Sequence, residues 1–87
     1  MKVRIHQDVI VYEENDEILL INMLQNNFYS LDFVSSTIWR KIEEYGELSK
    51  IIDSISDEFN ESKDSIAEDV KEFVNDLLKV GVVEKDE

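Results

Sequence analysis

Gln25-Asn26-Asn27-Phe28-Tyr29-Ser30-Leu31 decides the fold, because it joins a turn-forming opening to an aromatic, strand-forming close. Gln25, Asn26 and Asn27 are turn formers, the asparagines because they bond their own backbone and tolerate left-handed conformations. Phe28-Tyr29-Ser30-Leu31 then returns as a short strand. Just before it, Ile18-Leu19-Leu20-Ile21-Asn22-Met23-Leu24 is apolar on both alternating faces, the pattern of a strand covered on both sides or central in a sheet. Earlier still, Val9 to Glu13 is rich in β-branched and aromatic residues and leads into Glu14-Asn15-Asp16, a hairpin turn. Sequential hairpins place neighbouring strands side by side, so the first and third of these strands flank the second. The third is left with a free edge. Val3 and Ile5, alternating with Lys2, Arg4 and His6, offer a short extra strand.

Beyond the sheet the period changes to that of helices. Asp32 reads as a helix cap, and Val34, Ile38, Ile42 and Tyr45, with Trp39 beside them as core, fall at helical spacing. Gly46 fits the left-handed residue that ends a helix. A second helix places Leu48, Ile51, Ile52, Ile55 and Phe59 on one face, with Glu47 or Ser49 as its cap and its end near Asn60. Ser62 caps a longer third helix whose stripe is Ile66, Val70, Phe73, Val74, Leu77 and Leu78; Gly81 closes it and Val82-Val83 runs on as an extended tail. The expected fold is α+β, a small three-stranded antiparallel sheet followed by three helices, winged-helix-like. At 87 residues it is expected to form one domain over residues 1–87, with a core from about 9 to 83.

Composition narrows the function. The net charge of -12 opposes binding to nucleic acid or to anionic membrane surfaces and suits a basic peptide. Cysteine is absent, so neither a disulfide framework nor a thiolate metal site is available. No apolar run approaches the roughly 18 residues of a membrane span, and Met1 to His6 lacks a signal-peptide core, so a cytoplasmic soluble protein is expected. His6 is the only histidine and has neither metal-ligand partners at a recognisable spacing nor a nucleophile to serve. Asp57, Glu58, Glu61, Asp64, Glu68, Asp69, Glu72 and Asp76 do not follow the EF-hand loop; they read as a solvated face or a contact for a basic partner. There is no Gly-x-Ser-x-Gly and no glycine-rich phosphate loop, so neither catalysis nor a cofactor is expected. Asp64-Ser65-Ile66 is similar to the Asp-Ser-Leu of acyl carrier proteins, whose serine carries the phosphopantetheine arm. Those proteins are all helical with the serine near mid-chain, and capping explains Ser62 and Ser65 better.

Taken in order, several residues resemble the PqqD-like family, also called the RiPP recognition element, from about Val9 to Val83. They are Leu31-Asp32 at the end of the third strand, Ser36-Thr37-Ile38-Trp39 in the first helix, Gly46 before the second and Phe59 at its end, then Asp69-Val70, Phe73-Val74, Leu77-Leu78 and Gly81-Val82-Val83. Asp32 in place of the family's asparagine, and the lack of a glycine after Ser36, are departures that touch capping and packing. The resemblance implies a non-catalytic module that binds the leader segment of a ribosomally made precursor peptide. The leader would add as an antiparallel strand on the third strand, its side chains entering a groove beside the third helix. Stand-alone members of the family serve leader peptidases and cyclases of lasso peptides, or radical SAM maturation enzymes.

Physics makes the same edge attractive, since an uncovered strand displays unpaired amides and carbonyls that an extended peptide can use. Asn26, Asn27, Phe28, Tyr29 and Ser30 are the expected backbone edge, and Val70, Phe73, Val74 and Leu77 the expected apolar groove, with Asp69 and Asp76 flanking it for basic leader residues. A free edge equally permits a homodimer. The rival class is a winged-helix transcriptional regulator, which would need Lys or Arg on a recognition helix that is acidic here.

Overall fold

A computed structural model of the chain describes residues 1–86. Its elements are β1 (Val3–Ile5), β2 (Val9–Glu14), β3 (Glu17–Asn22), β4 (Asn27–Leu31), α1 (Phe33–Tyr45), α2 (Leu48–Phe59), α3 (Lys63–Val80) and β5 (Val83–Lys85). The fold is α+β: a three-stranded antiparallel sheet ordered β2-β3-β4, three helices, and a small second sheet in which β1 pairs antiparallel with β5. The tail Val82-Val83 is therefore not loose. Val82 and Val83 are buried, and Val3, Arg4 and Ile5 oppose Lys85, Glu84 and Val83.

The hairpin joining β2 to β3 turns at Asn15 and Asp16, with φ of 53° and 66°. Positive φ at both central residues is what a type I′ turn demands, and asparagine and aspartate tolerate it. The central strand ends at Asn22, two residues short of the apolar run, and Met23 and Leu24 project from the turn, Leu24 being 74% exposed. Ile18, Leu20 and Asn22 face the helices and are buried, whereas Leu19 and Ile21 on the other face are only half covered. The apolar pattern of β3 thus comes from its central position, not from layers on both sides.

Each helix is set by its ends. Asp32 accepts a hydrogen bond from Ser35 N–H at 2.8 Å, and Ser62 accepts from Ser65 N–H at 3.4 Å. Glu47 occupies the N-cap of α2 without a side-chain cap, its carboxylate accepting from the Ser49 hydroxyl instead. Gly46 (φ 69°), Asn60 (φ 52°) and Gly81 (φ 79°) end α1, α2 and α3 in the left-handed conformation. At Gly81 the φ of 79° is what disfavours a side chain; a Cβ there would lie 2.9 Å from the amide end of the exposed Gln25 side chain, which can shift. Trp39 is wholly buried beside Ile38 and Ile42, while Val34 and Tyr45 of the expected stripe remain exposed.

The cap at Asp32 gives the fold an acid-sensitive joint. The Ser35 backbone N–H first, then the Ser35 hydroxyl and the Val34 N–H, hold the Asp32 carboxyl below its ordinary 3.8, against the effect of desolvation. A depressed folded-state pKa gives stability that is whole above the unfolded value and lost as pH falls through the folded one. Asp32→Asn keeps an oxygen that can accept at the cap and removes the titration. The difference in melting temperature between the two proteins is therefore expected to move in favour of Asp32→Asn as the pH is lowered from about 6 to about 2.5. A difference that does not change across that range would refute it.

Candidate peptide-binding groove

β4 bonds to β3 along one side only, and α1 and α3 both pack against it. Leu20 pairs with Tyr29 and Ile21 with Phe28, so Asn27, Tyr29 and Leu31 point toward the helices, whereas Phe28 and Ser30 point to the open face. Phe28 is 73% exposed there. The Tyr29 ring meets Phe73 of α3 edge-on, with centroids 6.3 Å apart and planes inclined at 62°. That contact fixes which side of α3 faces the strand. Residues at i−4, i+3 and i+7 from Phe73 share its side of the helix, and these are Asp69, Asp76 and Val80.

Val70 and Leu77, at i−3 and i+4, adjoin Phe73 as well but are buried, so the exposed margin of α3 beside Phe73 is Asp69, Asp76 and Val80, which makes these the candidate groove wall in place of the expected stripe. Val70, Val74 and Leu77, expected to line the groove, are each 0% exposed and belong to the core beneath it. Their spacing was that of a buried stripe, and the sheet and helices cover it completely. Asn26, expected on the strand edge, sits in the turn with φ 54° and contributes no extended backbone. Asn27, Phe28, Tyr29 and Ser30 do lie on β4, Phe73 forms the floor with Tyr29, Asp69 is exposed and Asp76 half-buried. Neither aspartate is in an ion pair among the described residues.

A residue not foreseen holds the two walls together. Asn22, 1% exposed, donates from Nδ2 to the Gly81 carbonyl at 2.8 Å, while its Oδ1 accepts from Leu24 N–H and Gln25 N–H, both at 3.1 Å. One side chain thus ties the turn that starts β4 to the end of α3. A lone polar residue inside an apolar strand run was its sequence mark.

Among the described residues no group of three or more His, Cys, Asp or Glu is placed to hold a metal ion, and no helix is long and apolar enough to cross a membrane. α3 exposes the carboxylates of Asp64, Glu68, Asp69 and Glu72 alongside Lys63, Lys71 and Lys79, so its outward face is mixed rather than a basic recognition surface. The sheet in front of the helices also departs from the all-helical carrier proteins.

Comparison with solved structures finds chains of the same fold that were solved with a leader peptide. One, TbiB1 in complex with the TbiA(beta) leader peptide, superposes with a TM-score of 0.86 at 27% identity, over 97% of this chain and 95% of that one. Another, a lasso peptide synthetase B1 complexed with the leader peptide, shares the fold with a TM-score of 0.84 at 12% identity, over 97% of this chain and 99% of that one. A comparison with curated protein sequences gives no match. The sequence profile described as Coenzyme PQQ synthesis protein D (PqqD) matches residues 9–83, the span from β2 into β5 that builds both walls of the groove, and the chain belongs to the PqqD family.

Proposed function

We propose that this chain is a non-catalytic module that takes up the leader segment of a ribosomally made precursor peptide as an added antiparallel strand on β4, and presents the attached core peptide to a maturation enzyme. The observation that carries it is the single-sided pairing of β4 beside the acidic stripe of α3. Backbone groups on a free edge supply affinity for any extended peptide, and the neighbouring groove supplies selection. The floor formed by Tyr29 and Phe73 suits an apolar leader side chain; Asp69 and Asp76 suit a basic one. The TbiB1 complex, similar over almost the whole chain, lends the reading its support from relatives. The maturation enzyme is of the leader peptidase, cyclase or radical SAM kind, and the complex forms in the cytoplasm.

Fluorescence anisotropy tests it with a labelled synthetic leader from the precursor encoded beside this chain's gene. Saturable binding is expected, and a proline within the leader's strand segment should weaken it at least tenfold, because proline removes a ladder donor. Trp39 is too deeply buried to report on the groove and serves to follow unfolding. No binding by the correctly paired leader would refute the proposal.

A further inference from the structure

The groove does not stop where β4 ends. Past Leu31 the chain enters α1, and there a cavity of about 230 Å3 opens between the three helices. Phe33, Val34 and Phe59 stand at it, exposed, over deeper walls that include Ile38, Ile55 and Ile66. Val34 and Phe59 are apolar residues of their helix stripes that the core does not use. Only two charged residues line the cavity, Glu61 and Asp69, and both are carboxylates. Neither is in an ion pair among the described residues, where Lys63, the nearest basic residue in sequence to Glu61, is engaged by Asp53 at 3.1 Å.

Direction decides what reaches it. A strand added antiparallel to β4 enters beside Leu31 and leaves beside Asn27, so the residues just before that strand pass over the start of α1 and the mouth of the cavity. Asp69 belongs both to the groove stripe and to the cavity lining, which makes the two continuous. A cavity whose lining combines aliphatic side chains, two phenylalanines and two exposed, unpaired carboxylates matches one kind of side chain. A lysine or arginine lays its methylenes on apolar walls while its charged head seeks anions, and phenyl faces favour the same cation.

Resting on the leader-binding reading, we infer that this cavity is a specificity site for a lysine or arginine lying just upstream of the leader's added strand, with Glu61 and Asp69 as the residues that select its charge. A net charge of -12 draws in such a peptide from a distance, but only a local pair of carboxylates fixes the position of its cation.

Two titrations test the inference on the full chain. In the first, the 15N-labelled protein is titrated with N-acetyl-arginine N-methylamide and with the uncharged isostere N-acetyl-citrulline N-methylamide. Saturable amide shifts confined to residues 33–38, 55–61 and 66–70 are expected for arginine only, and they should vanish in the Glu61→Gln/Asp69→Asn double variant. Both substitutions keep side-chain shape at exposed positions, and an otherwise unchanged amide spectrum verifies the fold. Equal shifts from citrulline, or shifts spread over every acidic helix face, would overturn the inference. In the second, the labelled leader is titrated into wild type and double variant, and at least a fivefold weaker binding by the variant is expected. Unchanged affinity in the variant would overturn the charge selection alone. No binding by wild type would overturn the leader reading, and this occupant with it.

Discussion

Asn22→Ala is expected to lower stability by about 2–4 kcal/mol, because removal of one side chain strands a part-buried carbonyl and two turn amides, and each such group costs about 1–3 kcal/mol less any relief from water. For a domain of this size that is a melting temperature roughly 10–25 °C lower. Leu24 and Gln25 are exposed, so water replaces part of what their amides lose; the Gly81 carbonyl, facing a side chain that is 1% exposed, has less recourse. Asn22→Asp separates the contributions. Its carboxylate retains acceptors for the turn but sets a negative oxygen against the Gly81 carbonyl, where the native amide donates at 2.8 Å. That raises the folded-state pKa of the new acid above its unfolded value of about 3.9. Stability is then full below the unfolded value and falls as pH rises through the folded one, the reverse of the sign at Asp32. Thermal melts of the two variants between about pH 3 and pH 7 check this, and a stability of Asn22→Asp that does not rise on acidification would count against the Gly81 contact. Because the same side chain sets β4 against α3, leader affinity should fall even at temperatures where the Asn22→Ala variant remains folded.

The contrast between these residues shows what the sequence made legible. Strand and helix order followed from local chemistry: asparagine and aspartate turns, Asp32 and Ser62 as caps, and Gly46 and Gly81 as terminators all stand where their own backbone preferences put them. The free edge followed too, since hairpin connections dictate neighbours. Periodicity could not say how wide the covered sector of α3 is. A six-residue apolar stripe is compatible with a groove on either margin, and only the Tyr29–Phe73 contact shows that the margin toward Asp69 and Asp76 faces the strand. Likewise Val34 and Phe59 keep perfect helical spacing with their buried neighbours, yet they extend past the core and stand at a cavity. Long-range pairing was equally silent, because nothing local in Val3-Arg4-Ile5 announces Val83-Glu84-Lys85 as its partner eighty residues away.

That uncertainty about α3 matters most for Val74→Asp, which the stripe alone would recommend as a way to block the groove. The expected result is an unfolded chain. Val74 is 0% exposed, and a carboxylate there would lose the valine's packing and find no cation, since Val74 belongs to the apolar core that also holds Leu20, Trp39, Val70 and Leu77. Burying an unpaired charge costs several kcal/mol even after the protein relaxes, a large share of the roughly 5–15 kcal/mol that holds a domain together. Trp39 emission and far-UV circular dichroism should show the loss directly, so absent leader binding by this variant would say nothing about the groove. Asp76→Lys asks the intended question. Asp76 is half-buried on the groove margin and unpaired, so the reversal should leave the unfolding transition within about 1 kcal/mol of wild type while weakening a basic leader by about fivefold or more. A folded Val74→Asp protein would mean that α3 turns a different face to the sheet, and a folded Asp76→Lys protein with undiminished leader affinity would remove Asp76 from the binding surface.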